Sequence, residues 1–198
     1  IGQVTRDMDV PVVHISTDYV MDGVKEAGYS EDSQDFGPLN VYGESKLEGE
    51  RRLAGVNPKH YIVRTSWLFG VHGKNFVSTM ITLGTERDNL TVVNDQFGNP
   101  TFTRDLAEGI LDIVEAQSPY GVYHLTNETP EDKGISWYDL AMCAIEAKGL
   151  KTSVTPVTSE KFPQKASRPQ YSTLLNTKRP HLRPYQEAVI EYVQTLSV

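Results

Sequence analysis

The stretch HISTDYVMDG, residues 14–23, decides how the surrounding chain is organised. It completes the apolar run VPVVHIS, residues 10–16, whose length and β-branched content are typical of a buried parallel strand. Thr17 and Asp18 follow directly, where this strand is predicted to end. Because open parallel sheets bind ligands at the carboxyl ends of their strands, these polar residues predict a functional site.

Strand and helix patterns alternate along the rest of the chain, which indicates a parallel α/β sheet. The predicted strands cover residues 10–16, 60–67, 90–94 and 121–126. The predicted helices cover residues 41–55, 75–87, 103–116, 137–148 and 184–196, with Ser136 capping the fourth and Gly149 ending it. Residues 94–101 and 158–168 are predicted loops because Gly, Pro, Asn and Ser are frequent there. The predicted fold class is α/β with a doubly wound parallel sheet.

The composition limits the class of protein. The 198 residues are 38% apolar and carry a formal net charge of −7, with no basic run among aromatics, so no nucleic-acid partner is expected. No apolar span of about 18 residues occurs, so no membrane partner is expected. The single cysteine, Cys143, indicates a reducing compartment, the cytoplasm by default, and a buried thiol. Because the first residue is Ile1 and not Met, we expect the gene to begin earlier.

Tyr42 and Lys46 stand four positions apart in the helix predicted to follow the polar strand end. Residues i and i+4 share one helix face, so both side chains can reach one ligand. The ammonium group would favour the phenolate of Tyr42 and make this residue a usable acid or base, while Thr17 could share the substrate oxygen. The spacing alone is common by chance, but the preceding strand end and the cluster RTSW, residues 64–67, favour a catalytic interpretation.

Seven segments, taken in order, resemble the sequence blocks of the dTDP-4-dehydrorhamnose reductase family, a group of extended short-chain dehydrogenases/reductases. They are HISTDYVMDG (14–23), NVYGESKLEGE (40–50), VRTSWLFG (63–70), NFVSTM (75–80), VVNDQFGNPT (92–101), YHLTN (123–127) and RPQYSTLLNTKR (168–179). The resemblance covers nearly the whole chain, from about Pro11 to the C-terminal helix. The motifs STDYV and NDQFGNPT together separate this family from most other sugar-nucleotide enzymes of the superfamily.

The resemblance implies a Rossmann-like sheet with a smaller substrate-binding lobe. It also implies NADPH- or NADH-dependent reduction of the C4 ketone of dTDP-4-dehydro-L-rhamnose to dTDP-L-rhamnose, a precursor of cell-surface polysaccharides. By the same resemblance, Tyr42 would donate the proton, Lys46 would assist it and bind the nicotinamide ribose, and Thr17 would pair with the substrate hydroxyl. Ser16 joins Tyr42 and Lys46 as a cofactor-binding residue. The implied partner is a dTDP-sugar, and the oligomeric state stays open.

The resemblance also assigns a set of residues to the substrate: Thr17, Asp18, Trp67, Asn75, Phe76, Gln96 and Arg168. Arg168 would offer a planar fork to the diphosphate. Core packing is the alternative for Trp67, and a surface ion pair is the alternative for Arg168. No metal is expected, because the histidines in strand patterns, His14, His60 and His124, lack a partner at ligand spacing.

The chain departs from the family pattern at two points. Met21 stands where phenylalanine is usual, which is a tolerable apolar exchange. No Gly-x-x-Gly-x-x-Gly turn, which would bind the dinucleotide pyrophosphate, follows a strand, and GVHGKNFVSTM (70–80) is only the nearest glycine cluster. We therefore expect residues 1–70 to be the remaining part of the dinucleotide-binding domain, with its catalytic strand and helix. Residues 71–198 would be mostly the substrate lobe, with some segments returning to the sheet, and this chain alone would be inactive.

Two other functions remain open at this stage. A sugar-nucleotide dehydratase of the same superfamily would carry an acid, usually Glu, where this chain has Tyr19, which argues against that class. A non-catalytic relative, such as the regulatory subunit of methionine adenosyltransferase, would share the fold and bind a partner enzyme. Its resemblance at RTSW and NDQFGNPT is weaker.

Overall fold

The structure is a computed structural model that describes residues 1–130, 132–180 and 182–196; residues 131, 181, 197 and 198, part of the predicted 71–198 lobe, lie outside the described residues. Its helices are α1 (Gly2–Asp7), α2 (Val41–Val56), α3 (Phe76–Glu86), α4 (Thr103–Glu115), α5 (Trp137–Lys148) and α6 (Tyr185–Thr195). Its strands are β1 (Val12–Thr17), β2 (His60–Thr65), β3 (Leu68–Phe69), β4 (Asn89–Val93), β5 (Phe97–Gly98), β6 (Thr101–Phe102), β7 (Gly121–His124), β8 (Asn127–Glu128), β9 (Ile135–Ser136), β10 (Ser153–Val157) and β11 (Leu182–Pro184).

The central feature is a parallel sheet in the order β1-β2-β7. β1 pairs with β2 in an unbroken register that starts at Val12 and His60 and ends at Thr17 and Thr65. The two threonines therefore lie side by side at the carboxyl ends of neighbouring strands. This arrangement confirms the predicted parallel α/β class and the predicted position of the polar cluster at a strand end.

Helices cover both faces of this sheet. Because successive residues of a strand point to opposite faces, β2 contributes to two different contacts. Tyr61 and Val63 pack in one apolar cluster with Leu106 of α4. Arg64 turns to the other face, where its guanidinium forms a buried ion pair of 2.7 Å with Glu50 of α2. Layers on both sides of a parallel sheet are the doubly wound arrangement that the sequence predicts.

A second core lies between helices α3, α5 and α6. Its buried residues include Val77, Ile81, Leu140, Ala144, Val189 and Tyr192. β4 pairs in parallel with β10 beside this helical layer. Trp67 and Phe76 pack against the same core. The helical layer therefore adjoins the polar strand ends of the sheet.

The strand boundaries differ from the prediction by one or two residues; the predicted strand 90–94 is shifted to Asn89–Val93, and the predicted strand 121–126 ends at His124. Two of the other differences have a clear physical cause. The first strand begins at Val12 and not at residue 10, because Pro11 has no N–H to donate and the pairing starts with the bond from Val12 N–H to the Lys59 carbonyl. The second strand ends at Thr65 and not at residue 67, because Trp67 takes a left-handed φ of 45° that cannot continue an extended strand. The five predicted helices are confirmed with small shifts at their ends.

Other elements were not predicted. The 94–101 loop contains β5 and the start of β6, and the 158–168 loop contains a 3₁₀ turn at Ser159–Lys161. Helix α1 buries none of its residues, so it has no periodic apolar face that would indicate it. In the described ranges, no helix combines the length and the apolar character that crossing a bilayer requires.

Candidate active site

The carboxyl ends of β1 and β2 form a cleft of about 470 Å³, here called the strand-end cleft. Its lining includes Ser16, Thr17, Asp18, Tyr19, Tyr42, Lys46, Thr65, Trp67, Trp137 and Arg168. The structure thus brings together the three predicted catalytic residues, Thr17, Tyr42 and Lys46. It adds four other predicted ligand-binding residues, namely Ser16 and Asp18 at the end of β1, Trp67 after β2, and Arg168 from a distant loop.

The start of α2 is held against the end of β1. Asn40 caps the helix, because its side-chain oxygen accepts a hydrogen bond of 3.0 Å from the N–H of Gly43. Gly43 is buried, and a Cβ atom there would overlap the carbonyl oxygen of Tyr19. Only glycine permits so close an approach of two backbone segments. The 3₁₀ turn Asp18–Val20 therefore lies directly beside the first turn of α2, which carries Tyr42.

Tyr42 and Lys46 present their side chains to the strand-end cleft. Tyr42 is 55% exposed, and its ring meets the ring of Tyr19 edge to face, with centroids 5.9 Å apart. Lys46 Nζ donates a hydrogen bond of 2.5 Å to the carbonyl oxygen of Ile15 in β1. This bond holds the ammonium group at the strand end, and an ammonium has three N–H donors, so two stay available for a ligand.

Several buried oxygen atoms at the strand ends lack hydrogen-bond partners. The Thr17 hydroxyl donates to Asp18 Oδ1 at 2.9 Å and accepts from the backbone N–H of Tyr19 at 3.2 Å. Ser16 Oγ, Thr65 Oγ1 and Asp18 Oδ2 are buried and make no hydrogen bond of normal geometry within the described residues. Buried polar atoms are rarely left unpaired, so this group of oxygens is suited to a polar ligand.

Asp18 titrates near neutral pH inside this cleft. Burial raises its pKa to about 6 from an ordinary value of 3.8, and the nearby hydroxyls of Ser172 and Thr17 oppose the shift. The Ser172 hydroxyl also lies 3.3 Å from the carbonyl oxygen of Phe97, where it forms its hydrogen bond of normal geometry. Ser172 opposes the shift more than Thr17 does, but burial outweighs both.

Trp67 connects the sheet to the helical layer. Its indole stacks on that of Trp137 with centroids 3.6 Å apart. The ring of Phe76 also contacts Trp137, with centroids 4.7 Å apart. Gly98 leaves room for the indole, because a Cβ atom there would lie 2.8 Å from the ring. The stack covers one face of Trp67, while the side chain stays partly exposed and lines the cleft. Trp67 therefore packs against the core on one face and lines the cleft, where a ligand contact stays a prediction.

A second cleft of about 410 Å³, here called the aromatic cleft, adjoins the first. Its lining includes Phe76, Met80, Gln96, Trp137, Phe162, Gln164 and Arg168. Trp137 and Arg168 line both clefts, so a single extended ligand could occupy the two together. The predicted substrate residues Phe76 and Gln96 lie in this second cleft and not at the strand ends.

Asn75 is not brought to either cleft. Its side-chain oxygen caps α3 by accepting a hydrogen bond from the N–H of Ser78 at 3.0 Å. Its amide nitrogen donates to the Gly70 carbonyl at 3.0 Å and to the Tyr192 hydroxyl at 2.8 Å. Because both ends of the side chain are engaged within the protein, the geometry assigns Asn75 to holding the helical layer together.

The surroundings of His60, His124 and Cys143 indicate structural roles for these residues. His124 is buried, its Nδ1 lies 3.1 Å from the Leu175 carbonyl oxygen, and burial lowers its pKa to about 4. His60 Nδ1 lies 2.6 Å from the Asn57 carbonyl oxygen. Burial raises the pKa of the Cys143 thiol to about 11, so it is a poor nucleophile. Among the described residues, no three His, Cys, Asp or Glu side chains gather as a metal site.

Four residues of this region were not predicted from the sequence: Tyr19 as a ring neighbour of Tyr42, Thr65 as an unpaired hydroxyl, Trp137 as the stacking partner of Trp67, and Asn40 as the cap of α2. A signal existed for Thr65, which is part of the RTSW cluster, and for Asn40, which opens the NVYGESK block. No local signal links Trp137 to Trp67, because their contact depends on how α5 packs.

Comparison with known proteins identifies relatives over most of the chain. The sequence model of the family described as "RmlD substrate binding domain" matches residues 1–198. The spore coat polysaccharide biosynthesis protein SpsK of Bacillus subtilis is 40% identical over 93% of this chain. The dTDP-4-dehydrorhamnose reductase of Aggregatibacter actinomycetemcomitans is 43% identical over 84% of this chain. The chain spans only 64% and 59% of the length of these two relatives, respectively.

A solved structure is similar to nearly the whole chain. The dTDP-4-dehydrorhamnose reductase of Bacillus anthracis, determined in complex with NADP, matches with a TM-score of 0.90 at 35% identity. The match covers 98% of this chain and 69% of that protein. Together with the family match over all 198 residues, this establishes that the chain belongs to the RmlD substrate binding domain family.

Proposed function

We propose that this chain carries the catalytic and substrate-binding part of a dTDP-4-dehydrorhamnose reductase of the cytoplasm. The reaction is the reduction of the C4 ketone of dTDP-4-dehydro-L-rhamnose to dTDP-L-rhamnose with NADPH or NADH. The observation that carries the proposal is the strand-end cleft, which is lined by Tyr42 and Lys46 of one helix face together with Thr17 of β1 and Asp18 directly after it. The names of the relatives support the substrate class.

The strand-end residues fit a nicotinamide nucleotide. Ser16 has a buried hydroxyl without a partner among the described residues, and Lys46 keeps two N–H donors beyond its bond to Ile15. Ser16, Tyr42 and Lys46 would hold the cofactor, which supplies the hydride when bound. Residues 1–70 would form the part of the dinucleotide-binding domain present here, and residues 71–198 mostly the substrate lobe.

The chemical step assigned to this chain is a proton transfer. Tyr42 would give its phenolic proton to the C4 oxygen as that oxygen becomes the alcohol. The Lys46 ammonium, held at the strand end, would stabilise the negative charge left on the phenol. The Thr17 hydroxyl donates to Asp18 and accepts from the Tyr19 N–H, which leaves one lone pair to accept a hydrogen bond from a substrate hydroxyl.

The substrate would extend over both clefts. The indole of Trp67 suits the apolar face of a deoxy sugar, and Asp18 suits its remaining hydroxyls. Arg168, which lines both clefts, would bind the diphosphate between them. Phe76 and Gln96 in the aromatic cleft would then face the planar thymine, one by stacking and the other by hydrogen bonding.

The test is an assay of the complete protein, with its dinucleotide-binding part included. With NADPH and dTDP-4-dehydro-L-rhamnose we expect dTDP-L-rhamnose as the product, identified by chromatography against the authentic compound. Tyr42→Phe is the matched control, because it keeps the ring and removes the proton. Absence of product from a folded protein that binds NADPH would overturn the proposal in favour of a non-catalytic subunit.

A further inference from the structure

The segment that carries Arg168 has few attachments to the rest of the protein. Residues 162–168, here called the Arg168 segment, are all exposed, although Phe162 and Gln164 line the aromatic cleft and Arg168 lines both clefts. Among the described residues, the one hydrogen bond recorded for residues 163–168 joins the Ser167 carbonyl oxygen to the side chain of Asn40. The N···O distance is 2.9 Å, and 127 positions separate the two residues.

Asn40 performs two tasks with the two ends of its amide. Its Oδ1 accepts the hydrogen bond from Gly43 N–H that caps α2, and its Nδ2 donates to Ser167. The two bonds together determine which end of the amide is oxygen and which is nitrogen. Aspartate and serine can also cap a helix, but neither carries a nitrogen donor on its side chain. Capping alone therefore does not require asparagine at this position.

We propose that Asn40 is a positioning residue that ties the Arg168 segment to the start of the catalytic helix. The proposal rests on the function proposed above, because the position of Arg168 relative to α2 affects the reaction only if Arg168 binds the substrate diphosphate. Asn40, Tyr42, Ser167 and Arg168 line a common surface cleft beside the strand ends. Through this bond, the residue that would bind the substrate diphosphate is located relative to the helix that donates the proton.

The test uses three substitutions at Asn40 in the complete protein. Asn40→Ser and Asn40→Asp keep a capping oxygen and remove the amide donor, and their agreement excludes an effect of the new charge. Asn40→Ala removes both the cap and the donor. Ser167→Ala is the matched control, because the bond uses the backbone carbonyl and not the Ser167 side chain.

Two measurements report on the tie. Trypsin can cleave after Lys165, so its cleavage rate there measures how firmly the Arg168 segment is held, independently of activity. Calorimetry with dTDP measures the nucleotide affinity. We expect Asn40→Ser and Asn40→Asp to raise both the cleavage rate and the Kd for dTDP by about threefold to tenfold, the scale of one hydrogen bond. The melting temperature and the Kd for NADPH should stay near those of the parent.

The outcomes separate the tie from the cap and from the proposed function. If only Asn40→Ala changes the cleavage rate and the dTDP affinity, the helix cap is responsible and the positioning role is refuted. If the Ser and Asp variants speed the cleavage without weakening dTDP binding, the bond exists but does not position Arg168, and the proposal is also refuted. If the parent protein does not bind dTDP, the proposed substrate is wrong, whereas the cleavage rates still test the tie.

Discussion

The indole rings of Trp67 and Trp137 lie face to face, with centroids 3.6 Å apart and planes inclined by 10°. Trp67 lies two positions after the last residue of β2, and Trp137 is the first residue of α5. Trp67 also holds a left-handed φ of 45°, a conformation that costs about 1–2 kcal/mol for a residue with a side chain. The stack stabilises this conformation and joins the β1-β2-β7 sheet to the helical layer at the rim of the cleft.

Replacement of Trp67 by alanine tests its two roles together. Because the proposed function has the Trp67 indole contact the sugar, Trp67→Ala should lower kcat/KM for dTDP-4-dehydro-L-rhamnose by roughly 1–3 kcal/mol while the Kd for NADPH stays constant. Loss of the stack should also lower the melting temperature. Trp137→Ala is the control, because it removes the stack and leaves the Trp67 indole. Unchanged kinetics in a stable Trp67→Ala protein would contradict both roles.

Removal of the Tyr42 hydroxyl tests the proton donor. In the complete protein, Tyr42→Phe should reduce kcat by roughly 10²–10⁴, the range for loss of a general acid, with little change in substrate affinity. The Phe ring keeps the edge-to-face contact with Tyr19, so folding should be preserved. Steady-state kinetics and circular dichroism on the same sample check this. Near-normal turnover would show that another group donates the proton.

The raised pKa of Asp18 predicts how stability depends on pH. Between pH 4 and pH 6 the folded protein retains a proton on Asp18 that the unfolded chain releases, because the folded pKa is about 6 and the ordinary value is 3.8. The contribution of Asp18 to the free energy of unfolding is therefore present below pH 4. This contribution amounts to at most about 3 kcal/mol, and it is lost as pH rises through 6.

Asp18→Asn should consequently be more stable than the parent at pH 7 and nearly equal to it at pH 4. The free energies of unfolding of the two proteins, measured by urea titration between pH 4 and pH 7, test this expectation. Asp112→Asn, at an exposed position on α4, is the control and should show no such trend. A variant that is less stable than the parent at pH 7 would mean that the buried carboxylate is favourably bonded.

The cofactor affinity of the 198-residue chain by itself is also predictable. Its sequence contains no glycine-rich turn for the pyrophosphate. Within the described residues, β1 pairs only with β2, so its other edge is open. We expect weak binding of NADPH or none by calorimetry, and a tendency to aggregate. Micromolar binding by this chain would show that the strand-end residues suffice without the pyrophosphate turn.

Local patterns in the sequence predicted five of the helices, four of the strands and the main candidate site residues. The apolar run before Thr17 predicts β1, the Ser136 cap and Gly149 stop predict α5, and the spacing of Tyr42 and Lys46 puts them on one helix face. These features depend on neighbours within one strand or a few helical turns. Such short-range rules act on any chain with the same residues, so the sequence alone was sufficient.

Tertiary structure alone decided which distant residues share the site. It stacked Trp137 on Trp67, bonded Asn40 to Ser167, and turned Asn75 away from the clefts into the cap of α3. The surroundings of the buried Asp18 likewise include the hydroxyl of Ser172, which is distant in the sequence. Contacts of this kind form only when whole helices and strands pack together. No local periodicity encodes them, because their energy depends on the shape and desolvation of surfaces that are far apart in the sequence.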